Sequence, residues 1–404
     1  SYPTAPEFSK DFFENDLISF YKNQDDSRAL SLYIHIPFCR SACYFCGCNV
    51  IFTSKEEKKE KYIQYLKKEL SIIKQHLNVN REVTQMHFGG GTPTFLSADQ
   101  LAIVLKMIKD TFPNFSNDAE ISCEVDPRFF TQEHMNVLKK EGCNRLSFGV
   151  QDLNEAVQKE IHRIQPFETT QNVVNIARKA GIKSINIDLI YGLPLQTNET
   201  FHQTVQKIIK LNPDRLAVFN YAHVPWMKKT MRKFDEETFS PPSERLEILQ
   251  DTISFLTSNG YKMVGMDHFA KPEDELFKAI EKGELHRNFQ GYTTKAGADL
   301  IGIGVTSIGD GIDYYAQNFK DLKIYENAID ENKLPVFKGY KLNKDDQLRQ
   351  SVIMELMSNF SLNISRVEKK FKIVFNDYFK KDLEALDEFI EADLISINDD
   401  KIQV

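Results

Sequence analysis

No stretch of this 404-residue chain is apolar for long enough to cross a bilayer, and no charged-then-apolar leader opens it. A membrane protein or a secreted one is therefore not expected; a cytoplasmic location is. Basic residues are not in excess either: 51 Lys and Arg stand against 58 Asp and Glu, a formal charge of -7. No basic stripe of the kind that follows nucleic acid is present. The Lys-rich run from Lys55 to Lys68 is interleaved with Glu56, Glu57 and Glu60 and followed by Glu69, which is the pattern of a solvated helix face. Repeats and low-complexity segments are missing. Cysteine is scarce, six residues in all, yet four of the six fall between Cys39 and Cys48. A secreted disulfide framework spreads its cysteines, whereas one tight cluster points to metal.

What is present is a repeated unit of short β-rich run, loop and helical pattern. Strands are predicted over Leu32–Ile36, Thr84–Phe88, Ile121–Val125, Arg145–Val150, Ser184–Ile190 and Leu216–Tyr221. Helical patterns follow over about 54–77, 98–111, 132–141, 168–180, 198–211 and 243–258. Ser54 and Glu57 have the spacing of a capping box. Tyr62, Leu66 and Leu70 recur every four residues as a buried stripe. Gly142, Gly181 and Gly260 stand where helices stop. Six successive β-α units imply parallel strands with right-handed crossovers.

Period-two alternation separates two faces. One carries Leu32, Ile34 and Ile36, Leu146 and Phe148, Ile185 and Ile187, and Ala217 and Phe219. The other carries Tyr33 and His35, Gln85 and His87, Glu120, Ser122 and Glu124, Ser147 and Gln151, Asn186 and Asp188, and Asn220. A doubly wound sheet buries both faces under helices and needs both apolar. A polar face repeated in strand after strand fits a lumen holding a polar ligand, because burying unpaired polar groups is costly. The expected fold is therefore α/β, a partial (β/α)6 barrel. Residues 335–341 read as a linker, and the helical pattern and terminal hairpin beyond them read as a small winged-helix-like domain. The division expected is 1–29 as an N-terminal arm, 30–334 as the catalytic barrel with a substrate-binding extension, and 335–404 as a C-terminal helical domain, with both ends read as shortened.

Cys39-x-x-x-Cys43-x-x-Cys46 follows the first strand, where a loop can wrap three thiolates around one face of a 4Fe–4S cluster. Three protein ligands leave one iron open to chelate the amino and carboxylate groups of S-adenosylmethionine (SAM), whereas most electron-transfer clusters use four cysteines. A structural zinc site would favour four thiolates. Cys48 could supply the fourth, though it stands one residue from Cys46, which is tight for two ligands of one zinc; a non-enzymatic zinc-binding protein is the alternative.

In a barrel of this kind the chemistry sits at the C-terminal strand ends. There the chain places Gly89-Gly90-Gly91-Thr92-Pro93-Thr94, Glu124-Val125-Asp126-Pro127, Gly149-Val150-Gln151-Asp152, Tyr191-Gly192-Leu193-Pro194 and Asn220-Tyr221-Ala222-His223. The glycine triplet allows close backbone approach to a ligand, yet has neither the Lys-Ser/Thr ending of a phosphate loop nor the spacing of a dinucleotide fingerprint. A strand-end carboxylate such as Glu124 suits a ribose or an ammonium, and is as often a helix cap. Arg163 can clamp a carboxylate or form an ion pair. His35 and His87 face inward and are read as structural.

These motifs, with Tyr33-Ile34-His35-Ile36-Pro37-Phe38 before the first cysteine and the His286–Thr294 segment, resemble the oxygen-independent coproporphyrinogen III oxidase family of radical SAM enzymes across nearly the whole chain. The resemblance implies oxidative decarboxylation of two propionates of coproporphyrinogen III to vinyls, giving protoporphyrinogen IX without oxygen. It also implies a reducing electron donor such as flavodoxin or ferredoxin, an electron acceptor of unspecified kind, and a monomer. It places the cluster on Cys39, Cys43 and Cys46. A first SAM would meet Tyr33, Gly90, Glu124 and Ile308. A second would meet Phe45, Gly91, Thr92, Gln151, Arg163, Asp188 and Ala222. Cys48 is implied in activity without binding the cluster, and Arg287 is the candidate for the substrate propionates. A related haem-chaperone branch shares the three-cysteine spacing but typically lacks a cysteine at position 48 and the His286–Thr294 segment, and both are present here.

Overall fold

The computed structural model describes residues 2–404; Ser1, where the expected N-terminal arm begins, lies outside them. Six parallel strands lie side by side in sequence order: β1 (Leu30–Ile36), β2 (Val83–Gly90), β3 (Phe115–Val125), β4 (Arg145–Gln151), β5 (Ser184–Tyr191) and β6 (Arg215–Asn220). Each is followed by a long helix: α1 (Glu56–His76), α2 (Ala98–Thr111), α3 (Gln132–Lys140), α4 (Phe167–Lys179), α5 (Asn198–Ile209) and α6 (Pro242–Ser258). Asp299–Ile303 pairs parallel with β1, and Ile308–Asp310, Tyr314–Asn318 and Val336–Lys341 extend that side antiparallel. His268–Ala270 and Lys262–Val264 extend the β6 side. Among the described residues the two outermost strands do not pair with each other, so the sheet stays open as a partial barrel.

The apolar face of the strands builds the core. Leu32, Ile34, Ile36, Leu146, Phe148, Ile185 and Ile187 are fully buried and share one cluster with Tyr62, Leu66 and Leu70 of α1. Gly142, Gly181 and Gly260 adopt φ of 82°, 77° and 89°, which ends their helices as expected. Ser97 caps α2 through a reciprocal pair with Gln100. The capping box expected at Ser54 does not form. Thr53 N–H donates to Cys39 O at 3.2 Å, and its hydroxyl accepts from Lys55 N–H at 3.1 Å, so the chain leaves the cysteine loop extended and α1 begins at Glu56.

Two further expectations are corrected. Residues 335–341 are not a linker, because Val336–Lys341 is a strand of the main sheet, paired with Tyr314–Asn318. The second core therefore starts beyond it, with Leu348, Val352, Leu362, Val367, Phe375 and Ile402 packed around a three-stranded sheet. In β6 the faces are reversed: Ala217 and Phe219 lie beside Asp188 and Ile190 on the lumen side, while Leu216 and Val218 are buried against the helices. Phe219 is tolerated inward because His268 meets its ring edge-on at 5.7 Å. Asn220 consequently does not share the inward face; it is exposed at the strand end, beside Tyr191. The N-terminal segment is integrated, with Phe12, Leu17 and Tyr21 in the main core. Among the described residues no helix is long and apolar enough to cross a membrane.

Asp299, completely buried where the strand beside β1 begins, holds Arg28 at 2.7 Å and also pairs with buried Arg81. Removing the carboxylate strands a buried guanidinium. Asp299→Asn is expected to cost roughly 3–5 kcal/mol and to lower the thermal midpoint in a calorimetric scan.

Candidate functional site

The site grows from the end of β1. Phe38–Cys39 pairs in parallel with Ile51–Phe52, closing the intervening residues into a loop with a fixed base. Ile51 N–H donates to Pro37 O at 2.7 Å, and a turn inside the loop joins Cys46 N–H to Cys43 O at 3.2 Å. Cys39, Cys43 and Cys46 are all half-buried on this loop, and Cys48 is exposed. The far side is pinned by Tyr44, whose N–H donates to Ile161 O at 3.0 Å and whose ring stacks on His162 at 4.9 Å. His162 donates from Nδ1 to Ala42 O at 2.7 Å. Phe45 packs partly buried against the apolar cluster of Val157, Ile161, Leu193 and Tyr221.

The glycine loop is seated directly on this base. Gly91 N–H donates to Ile36 O at 2.8 Å and Thr92 N–H to Phe38 O at 2.9 Å. Thr92 Oγ1 stands 3.5 Å from Cys39 Sγ. A Cβ at Gly91 would lie 2.8 Å from Phe38 O, and one at Gly90 would lie 2.6 Å from the His35 ring, so the triplet is required by close approach. His35 is held neutral, with burial pushing it down to about 4. Its Nε2 donates to Asn49 O at 3.3 Å, which leaves Nδ1 to accept from Tyr33 OH at 3.2 Å.

The lumen continues from there. Tyr33 stacks on His87 at 5.9 Å, and His87 Nε2 lies 3.2 Å from Glu124 Oε1. Glu124 keeps an exposed carboxylate on the same face. Ile308 lies against Gly302, the register neighbour of Tyr33, so the four residues implied in the first SAM site converge. Asp188 accepts from Ser147 at 2.8 Å and from Asn186 at 2.6 Å. Burial, with Glu124 nearby, nonetheless pushes its carboxyl up to about 6. Gln151 has φ 72° at a register shift, which turns its amide back over Gly149 beside Arg163. A non-glycine residue there is strained. Ala222 is exposed just past β6.

Charge around the cysteines is organised by Asp126. It accepts from Arg128 at 2.6 Å and from Arg163 at 3.0 Å. Burial alone would raise its carboxyl, but the two guanidiniums outweigh that and hold it low. Both arginines also direct an N–H at Cys43 Sγ, each at 3.7 Å. Arg163 donates further to Gly149 O at 2.6 Å. Its expected role as a carboxylate clamp is thus partly taken by Asp126. Arg128 and Lys228, which donates to Cys48 O at 2.8 Å, carried no sequence signal, because each is an isolated base in an irregular loop. The neighbouring Cys48 thiol holds Cys46 below its ordinary value and is itself pushed up.

This donor set fits a thiolate-ligated cluster. Arginine N–H groups aimed at Cys43 Sγ favour a bound thiolate there, against burial that pushes the Cys39 thiol up to about 12.

Comparison with known proteins agrees. Residues 33–208 match the Radical SAM superfamily and residues 342–404 the HemN C-terminal domain. The oxygen-independent coproporphyrinogen III oxidase of Helicobacter pylori (strain J99) is 59% identical over 401 residues, covering 98% of this chain and 88% of that protein. The chain belongs to the oxygen-independent coproporphyrinogen III oxidase family. The Escherichia coli (strain K12) member is 46% identical over 404 residues, covering all of this chain and 88% of that one. The solved structure of HemN from Escherichia coli, described as a radical SAM enzyme, superposes with a TM-score of 0.97 at 46% identity, covering 100% of this chain and 92% of that one. Family membership brings with it a 4Fe–4S cluster and SAM as cofactors.

Gly91→Ala is expected to drive the glycine loop off Phe38 and to lower iron bound per chain after anaerobic reconstitution, with the circular dichroism spectrum unchanged. Asp188 loses its charge as pH falls through about 6. On the expectation that Asp188 holds SAM, affinity measured by calorimetry weakens below that pH and Asp188→Asn flattens the dependence.

Proposed function

We propose that this chain oxidatively decarboxylates two propionates of coproporphyrinogen III to vinyls, yielding protoporphyrinogen IX without oxygen. The observation that carries this reading is the clamped three-cysteine loop at the mouth of a polar lumen, in a chain of this family. Cys39, Cys43 and Cys46 would hold the cluster, which with SAM supplies one-electron cleavage chemistry and a hydrogen-abstracting carbon radical.

The chain's own groups position and protect. Tyr33, Gly90, Glu124 and Ile308 line the entrance to the lumen and would hold one SAM. Phe45, Gly91, Thr92, Gln151, Arg163, Asp188 and Ala222 would serve a second. Tyr33 is kept a neutral hydrogen-bond donor by burial and by the charge of Glu124. Arg128 and Arg163 each direct an N–H at Cys43 Sγ and would face the ligand charge there. Cys48, exposed beside Cys46, would take part in the reaction without ligating the cluster, a reading its exposure supports. The aromatic packing of Tyr44 and Phe45 narrows solvent access to the loop, which favours radical chemistry by excluding side reactions. Each propionate loses a hydrogen atom, CO2 and one electron, so a reductant for the cluster and an electron acceptor for the substrate complete the balance.

The deciding experiment is an anaerobic assay of the reconstituted protein with SAM, reductant, an electron acceptor and coproporphyrinogen III, with porphyrins and 5′-deoxyadenosine separated by chromatography. Protoporphyrinogen IX formation is expected; 5′-deoxyadenosine without it would reject this substrate. Cys39→Ala, Cys43→Ala and Cys46→Ala should each abolish SAM cleavage, whereas Cys48→Ser should keep its iron and its brown colour.

A further inference from the structure

Between the barrel and the C-terminal domain lies a cavity of about 540 Å³ that contains none of the cysteines. Part of its wall is flat and soft: Phe289, Tyr315, Met354 and Phe371. The Phe289 and Tyr315 rings meet edge to face at 5.3 Å, which fixes that wall. Another part is cationic. Arg287 comes from the hairpin strand His286–Asn288, and Arg366 and Lys370 come from the helix Ile364–Phe371. Four residues apart on a helix, Arg366 and Lys370 stand on one face.

None of these cations makes a close ion pair, although Asp267 lies near Arg287 and Glu355 near both Arg366 and Lys370. Arg287 lies 5.0 Å over the Tyr292 ring and donates to its hydroxyl at 3.4 Å, with no carboxylate at ion-pair distance among the described residues. Lys370 donates to Ser351 Oγ at 3.1 Å, again with no ion pair among the described residues. Arg366 has only Glu355, at 3.7 Å, and that carboxylate also accepts from Asn363 N–H. The other bases on the wall are engaged, Arg28 by Asp299 and Lys295 by Asp118. The other acid on the wall, Asp310, is pushed up to about 7 by burial and offsets little. The surplus charge is felt locally: burial first, then Lys370 and Arg366, hold His286 below its ordinary value.

A pocket with a soft aromatic wall and cations free of close ion pairs suits a large apolar ring bearing several carboxylates. Ser31 lines the cavity, and Tyr33 follows two residues later on the same face of β1, about 7 Å along the strand. A molecule seated at the seam therefore begins next to the lumen. We propose that the seam recognises tetrapyrrole carboxylates that are not being converted, with Arg366 and Lys370 of the C-terminal domain, together with Arg287, as specificity residues. This rests on the tetrapyrrole reading given above. The two propionates that are not converted persist in the product, so the seam grips substrate and product through the same contacts and keeps the ring in place between the two conversions.

The test uses the reconstituted full chain and coproporphyrin III, the stable oxidised tetracarboxylate, with binding followed by fluorescence. The pair Arg366→Gln and Lys370→Gln together should weaken binding roughly tenfold or more, as loss of two charge-assisted contacts implies. KM for coproporphyrinogen III should rise similarly while kcat changes by less than about twofold, the signature of lost ground-state binding. The charge-conserving pair Arg366→Lys and Lys370→Arg should retain binding, and Lys106→Gln, on an exposed face of α2, serves as the charge control. Unchanged Kd and KM in the Gln pair would overturn the proposal while leaving the oxidase reading intact. Equal loss in the charge-conserving pair would also overturn it, as a packing effect. A native chain that binds coproporphyrin III through these residues but makes no vinyl product would uphold the seam and reject the oxidase reading.

Discussion

The short parallel pairing of Phe38–Cys39 with Ile51–Phe52 is the constraint on which the site depends. Without it, the residues from Cys39 to Phe52 would be an unanchored excursion from a strand end, and three thiols would explore space independently. Two backbone ladder positions turn the excursion into a closed loop. The glycine loop then uses the same base, because Gly91 and Thr92 bond to Ile36 and Phe38 on the strand that feeds it. One clamp therefore aligns the three cysteines with both proposed SAM surfaces, and Gly91 is irreplaceable because backbone, not side chain, occupies the space beside it.

The second organising feature is the division of the strands into an apolar face and a polar one. The apolar face is sealed by helices and provides most of the burial. The polar face is satisfied laterally, residue to residue, through Tyr33–His35, His87–Glu124 and Ser147–Asp188. Such pairings fix side chains in one orientation before any ligand arrives, so less ordering entropy is lost on binding. Burial keeps His35 neutral and raises the Asp188 carboxyl, while the hydrogen bonds from Ser147 and Asn186 pull Asp188 back the other way.

Much of this was legible in the chain. Six strands and six helices fall close to their predicted spans, because period-two and period-3.6 patterns are strong when one face is apolar. The cysteine spacing and the glycine triplet pointed to two loops that the structure brings together at the end of β1. Where the reading failed, tertiary contacts decided. Phe219 looks like a core residue but is held inward by the edge of His268. Residues 335–341 lack alternation, yet Val336–Lys341 is recruited into the sheet by Tyr314–Asn318. Ser54 has a capping residue at the right distance, but a hydrogen bond back to Cys39 keeps the chain extended past it. Arg128 became visible only when β3 and the cysteine loop were brought together. Short-range pattern reports which face a residue presents; it does not report what meets that face.

Leaving the barrel unclosed has a cost of its own, since an open sheet ends in unpaired backbone that can template association with other chains. On one side the exposed rim is only three residues, Lys262–Val264, and carries an exposed lysine. On the other the rim is six residues long, Val336–Lys341, and it is met by the N-terminal segment. Ser9 and Gly339 exchange backbone hydrogen bonds at 2.8 and 2.9 Å, and Phe12 fills the space over Gly339 where any side chain would collide. Residues that precede the catalytic strands thus act as a selvedge, keeping the free border of the sheet from joining another molecule's.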